Sequence, residues 1–101
     1  MKMIMIVFRS SLEADLLAVL DRLGVDAFSR LPEVHGTGAS GEAMHAFPSP
    51  AFNSMILVAL EDPEAERLTE ALREYRDRGA ARQQGAHIPL RVFLLPCTQA
   101  V

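Results

Sequence analysis

The stretch Met3-Ile4-Met5-Ile6-Val7-Phe8-Arg9-Ser10-Ser11-Leu12-Glu13 decides the fold expected for this chain of 101 residues. Its first six residues are all apolar, which is typical of a strand that is covered on both faces. Ser10 and Glu13 then match the S-x-x-E capping box, which predicts that a helix begins at Ser10. Apolar residues follow at helical spacing, and Gly24 is placed to end the helix. The chain therefore opens with a strand followed by a helix.

A second strand–helix unit lies in the other half of the chain. Met55–Leu60 is another continuous apolar run and predicts a strand. Asp62 followed by Pro63 predicts a helix start, because Asp is a preferred N-cap and proline suits the first turn. Gly79 is expected to end this helix.

Each unit leads into a strand that contains a proline. These strands are predicted over Val25–Val34, which contains Pro32, and over Ile88–Leu95, which contains Pro89. Because proline removes a hydrogen-bond donor, both should be edge strands. The order β-α-β-β-α-β predicts a ferredoxin-like α+β fold, in which a four-stranded antiparallel sheet carries two helices on one face. The length fits a single domain over residues 1–101.

Two helices cover only one face of such a sheet, yet the first and third strands are apolar on both faces. Alternation along the first strand puts Met5 and Val7 on the face opposite Ile6 and Phe8. No other part of so short a chain is available to cover the second face. We therefore expect a homo-oligomer that packs sheet faces together, either a dimer or a trimer.

Composition and charge exclude several classes of function. The net charge of −3 disfavours a nucleic-acid-binding role. No apolar run approaches the ~20 residues that a membrane-spanning helix needs. The single cysteine, Cys97, cannot form an internal disulfide, which favours a reducing cytoplasm. Neither a nucleophile elbow nor an H-E-x-x-H motif is present, so the chain is not expected to be an enzyme.

A long glycine-rich connection follows the second predicted strand, and its glycines are Gly36, Gly38 and Gly41. Their spacing is that of G-x-G-x-x-G, but no helix begins inside the motif, as a dinucleotide-binding fold requires. Glu42 stands where a Walker A motif needs lysine. Closely spaced glycines can still turn backbone N–H groups toward an anion. The segment is thus a candidate anion-binding loop.

Two stretches resemble the PII signal-transduction superfamily. Glu33-Val34-His35-Gly36-Thr37-Gly38 is similar to the base of the family's T-loop, and Leu90–Pro96 is similar to its last strand. The resemblance implies a trimer with nucleotides bound in clefts between subunits. It also implies that residues 36–54 form a T-loop-like segment that signals to a partner such as a membrane transporter. The only tyrosine lies outside this segment, so tyrosine modification of the loop is not expected.

The resemblance also implies which residues contact the ligand. The expected ligand is a small anionic effector, and the first candidate is an adenine nucleotide: ADP, AMP or ATP. The nucleotide-binding residues that the resemblance implies are Gly36, Gly38, Arg82, Gly85 and Arg91. Gly41 joins them as a member of the candidate anion-binding loop.

Two alternatives remain open on the same scaffold. In the first, the protein binds or responds to a metal ion through His35 and His45, as an accessory to metal efflux, since imidazole suits zinc and copper. In the second, it is an interaction module without a small ligand, and its partner docks on apolar side chains of the loop. Those side chains are Met44, Phe47 and Phe52.

Overall fold

The computed structural model of the protein describes residues 1–35, 53–82 and 88–101. One 3-10 turn, Ser10–Leu12, precedes the first helix. The other elements are β1 (Lys2–Arg9), α1 (Glu13–Arg22), β2 (Ser29–Val34), β3 (Asn53–Leu60), α2 (Asp62–Arg82) and β4 (Leu90–Pro96).

The four strands form one antiparallel sheet in the order β2-β3-β1-β4. The two strands with the longest apolar runs are central, and the two strands beside or containing prolines lie at the edges. The predicted ferredoxin-like arrangement is therefore confirmed. In β2 the pairing register shifts between Leu31 and Val34, and Glu33 between them has a φ of 57°. This bulge adjoins Pro32, which cannot donate to the ladder.

The core lies between the sheet and the two helices. Ile4, Ile6 and Phe8 alternate along β1 and are almost fully buried. They pack in one cluster with apolar side chains of both helices, which is why the helices lie on the same face of the sheet. The fully buried helical leucines in this cluster are Leu16, Leu20, Leu68 and Leu72.

The start of α1 differs from the prediction. The capping box predicts a helix from Ser10, but the α-helix begins at Glu13, after the 3-10 turn. The Ser10 hydroxyl instead shares a hydrogen bond with the Ser54 hydroxyl of β3, with 3.0 Å between the oxygens. A contact 44 positions away in sequence thus engages this side chain at the helix start.

The end of α1 is as predicted, at Gly24, whose φ is +74°. The Gly24 N–H donates to the carbonyl of Asp21, and the Val25 N–H donates to that of Leu20 at 2.9 Å. These two bonds are those of a Schellman motif, which requires a left-handed residue and favours glycine. Because the chain is still leaving the helix here, β2 begins at Ser29 and not at Val25 as predicted.

The predicted end of α2 at Gly79 is wrong, because the helix continues to Arg82. Gly79 is buried, and a Cβ atom at this position would lie 3.1 Å from Cδ1 of Ile88. The glycine therefore permits close packing of Ile88, the residue that leads into β4. Its role depends on a tertiary contact and not on a left-handed backbone.

Replacing Gly79 with valine is expected to lower the free energy of unfolding by about 1–3 kcal/mol, because the larger side chain overpacks the contact with Ile88. Ala81→Val is the matched control, since Ala81 is exposed on the same helix. Urea unfolding followed by circular dichroism measures both. Because valine has a higher helix propensity than glycine, a Gly79→Val variant as stable as the wild type or more stable would show that the contact with Ile88 has no energetic role.

The face of the sheet opposite the helices is apolar, as the alternation predicts. Met5 of β1 lies between Leu57 of β3 and Phe93 of β4 in the antiparallel register. Phe93 is 48% exposed, and Leu31 and Leu95 on the same face are 40% and 42% exposed. We call this surface the open sheet face. Both helices pack on the other side, so the described residues leave it uncovered.

Candidate functional site

Arg91 lies on the edge strand β4, opposite Val7 of β1, and its side chain is exposed. It lines a groove of about 500 Å³ between β4 and α2. We call this the Arg91 groove. Its walls are formed by residues of α2 on one side and of β4 on the other: Thr69, Leu72, Arg73, Arg76, and residues 90–94.

The Arg91 groove is rich in positive charge. Arg73 donates to the Glu70 carboxylate at 3.0 Å, and Arg76 donates to the Asp77 carboxylate at 3.1 Å. All four of these side chains are exposed, and such ion pairs contribute little free energy because water screens them. Arg91 has no carboxylate partner within the described residues. Arg91 pairs with Val7 and so lies on the open sheet face, whereas Arg73 and Arg76 lie on the helix side, and the groove extends around the edge strand between them. Arg forks suit phosphate oxygens.

Arg73 and Arg76 are the residues of this groove that the sequence analysis missed. Their spacing on α2 places them on neighbouring positions of one helix face, and this signal is present in the sequence. What the sequence does not reveal is that this face borders β4. That proximity results from the return of the chain to the edge of the sheet.

Arg82 lies elsewhere. It is at the end of α2 and lines a second groove, of about 370 Å³, between the two helices. We call this the interhelical groove. The structure therefore places the two predicted nucleotide-binding arginines, Arg82 and Arg91, in separate grooves of one protomer. The interhelical groove is lined by Asp15, Ala18, Val19, Arg22, Tyr75, Arg78 and Arg82.

A hydrogen bond between the helices crosses the interhelical groove. The Tyr75 hydroxyl donates to Oδ2 of Asp15 at 2.9 Å. Burial, followed by the hydrogen bond and the negative charge of Asp15, raises the pKa of Tyr75 to about 12, and Arg82 opposes this shift. Tyr75 therefore stays a neutral donor at neutral pH and keeps Asp15 engaged.

Tyr75 is the only tyrosine, so its ionisation can be followed directly by the ultraviolet absorbance of tyrosinate. We expect a pKa of about 12 in the folded protein, against about 10 when unfolded. Because the folded state holds this proton more tightly, the stabilisation is complete below pH ~10 and is lost as the pH rises toward ~12. Asp15→Asn should lower the pKa of Tyr75 without restoring its ordinary value, because burial remains. A wild-type pKa near 10 would contradict the assignment.

A third depression, of about 450 Å³, lies beside the Gly24 turn that ends α1. It is bordered by the last residues of β3 and by the first turns of α2, where Glu64 and Arg67 oppose each other in charge. Since β3 ends opposite the start of β1, this depression and Arg91 lie toward opposite ends of the sheet.

The remaining predicted site residues divide into two groups. His35 is exposed at the end of β2. Within residues 1–35, 53–82 and 88–101, no three His, Cys, Asp or Glu side chains are grouped to hold a metal ion. In those same ranges, no helix is long and apolar enough to cross a bilayer. The others lie outside the described residues: Gly36, Gly38, Gly41, Met44, His45, Phe47, Phe52 and Gly85.

Comparison with known protein families tests the resemblance of residues 33–38 and 90–96 to the PII superfamily. The sequence profile of the nitrogen regulatory protein P-II family matches residues 1–101. The chain belongs to this family. No functionally curated protein matches this chain.

Solved structures of PII-like proteins share the fold of this P-II family protein. CPII from Thiomonas intermedia K12, bound to ADP and bicarbonate, is 21% identical with a TM-score of 0.64, over 93% of this chain and 82% of CPII. CPII bound to ADP, AMP and acetate is 20% identical with a TM-score of 0.59, over 92% and 81% of the two chains. A PII-like signaling protein from Thermus thermophilus is 21% identical with a TM-score of 0.62, over 93% and 82%. At these identities the likeness concerns the fold.

Proposed function

We propose that this P-II family protein is a regulatory protein that binds an adenine nucleotide and is not an enzyme. The observation that carries the proposal is the Arg91 groove, which Arg73 and Arg76 line from α2 and Arg91 lines from the edge strand β4. A nucleotide needs a concentration of fixed positive charge for its phosphates, and guanidinium groups provide it in a geometry that matches phosphate oxygens. Bound ADP and AMP in the structures of CPII support the same class of ligand.

The nucleotide is proposed to bind in clefts between subunits of a homo-oligomer, most simply a trimer. The open sheet face supports the oligomer, because exposed Phe93, Leu95 and Leu31 are stabilised when a second copy covers them.

Signalling is proposed to pass through residues 36–54 to a regulated partner in the cytoplasm, such as a transporter. This segment connects β2 to β3, so its two ends are held by the sheet. A nucleotide can switch the segment only if it binds two of its states with different affinity. In CPII, ADP is accompanied by bicarbonate, which makes bicarbonate a reasonable second effector to test.

Calorimetric titration of the purified protein with ADP, AMP and ATP, each with and without Mg²⁺ and bicarbonate, tests the proposal. We expect saturable binding of at least one nucleotide, with about one site per protomer. If none of the three binds under any of these conditions, the nucleotide proposal is wrong. Titration with zinc and copper ions would then test the His35 and His45 alternative.

A further inference from the structure

The interhelical groove has a regular construction that the nucleotide proposal does not use. Its α1 wall is formed by positions spaced i, i+3, i+4 and i+7, from Asp15 to Arg22, and its α2 wall by Tyr75, Arg78 and Arg82. Each helix therefore presents one continuous face to the groove. On the α1 wall, Ala18 is small and exposed, so no long side chain fills the groove at this position.

The charge of the interhelical groove is opposite to that of the whole protein. Arg22, Arg78 and Arg82 are exposed, and none of them forms an ion pair with a carboxylate in the part of the chain that the structure describes. Its one carboxylate, Asp15, accepts the hydrogen bond of Tyr75. The chain as a whole carries a net charge of −3. The groove is thus a local basic surface on an acidic protein.

The arrangement of these charges indicates what kind of anion fits. Arg78 and Arg82 are one helical turn apart, which is about 6 Å along α2. Arg22 belongs to the other wall, in the last turn of α1. Guanidinium groups placed in a row across two helices match several carboxylates along a chain better than they match one small ion. Guanidinium also pairs with carboxylate in a bidentate geometry.

We propose that the interhelical groove docks an acidic segment of a partner protein. The segment places successive carboxylates against Arg22, Arg78 and Arg82 and lays its backbone over Ala18. Charge complementarity provides both the recognition and the rate of association, and salt weakens both. This surface is formed entirely by α1 and α2. It is therefore available whether or not the Arg91 groove is occupied.

Fluorescence anisotropy of a fluorescein-labelled deca-glutamate peptide, titrated with the full-length protein, tests the proposal. We expect saturable binding at ~50 mM salt that weakens strongly by ~300 mM. Arg78→Glu and, independently, Arg22→Glu should each weaken it at least about tenfold, because each replaces an attraction by a repulsion. Arg67→Glu is the matched control, since it makes the same charge change on an exposed position of α2 outside the groove.

The outcomes separate docking from a general effect of charge. Loss of binding in the two groove variants, with Arg67→Glu retaining it, supports docking in the groove. Equal loss in all three variants overturns the proposal, because net charge alone then explains the binding. Absence of saturable binding at low salt overturns it as well. Binding of inorganic pyrophosphate without binding of the peptide also overturns it, in favour of a small-anion site.

Discussion

Replacing Arg91 with alanine is expected to weaken the binding of ADP about 10- to 100-fold. A hydrogen bond that involves a charged group contributes about 1.5–3 kcal/mol, and each 1.4 kcal/mol corresponds to a factor of ten in the dissociation constant. Arg91 has no carboxylate partner within the described residues, so its charge is fully available to a phosphate. Isothermal titration calorimetry of the variant and the wild type measures the difference.

The other two arginines of the Arg91 groove should show smaller losses. Arg73 and Arg76 are each paired with a carboxylate already, so part of their charge is offset before the ligand arrives. Arg67→Ala serves as the control, because Arg67 lies on α2 outside this groove. If Arg91→Ala binds ADP as well as the wild type, the phosphates are held elsewhere and the Arg91 groove is not the nucleotide site.

Replacing Phe93 with aspartate is expected to convert the homo-oligomer into monomers. Phe93 is 48% exposed in the protomer, so the substitution leaves the core between the sheet and the helices intact. In an oligomer built on the open sheet face, the new carboxylate would be buried among apolar side chains, at a cost of several kcal/mol for each subunit. Sedimentation velocity and light scattering after size exclusion measure the change in mass.

Leu94→Asp is the matched control for this prediction. Leu94 is the next residue of β4, is 42% exposed, and pairs with Ile4, whose side chain faces the helices. It makes the same change of charge beside the open sheet face and not on it. An oligomer that persists in Phe93→Asp, or a wild-type protein that is monomeric, would show that this face is not the subunit interface.

The two predictions are coupled by the proposed position of the ligand. If nucleotides bind between subunits, Phe93→Asp should lose ADP binding together with its oligomeric state. Because Phe93 also lines the Arg91 groove, Leu31→Asp, on the open sheet face outside that groove, should show the same coupled loss. Monomers that bind ADP with wild-type affinity would place the whole site within one protomer. The oligomeric state and the affinity should therefore be measured on the same preparation.

Local sequence signals predicted those elements whose formation depends on neighbours along the chain. The apolar runs of β1 and β3, the left-handed helix end at Gly24 and the prolines near the sheet edges all act within a few residues. Their order then leaves few topologies, because connections are short and crossovers right-handed. The predicted binding residues between β2 and β3, including Gly36 and Gly38, lie outside the described residues and stay predictions.

Tertiary structure decided the features that depend on residues distant in sequence. Gly79 has the sequence pattern of a helix end, but in the structure it permits the close packing of Ile88. Local sequence patterns do not show this contact. Arg82 and Arg91 are close in sequence, yet they line different grooves. Arg82, in the last turn of α2, lines the groove between α2 and α1, whereas Arg91 lies on β4 at the edge of the sheet. The sequence by itself thus determined the fold and its uncovered apolar face, since the periodicity of apolar residues along a strand or helix is a local property. Packing alone decided which charged side chains lie near one another, because the residues that contact a helix face are brought to it only in the folded chain.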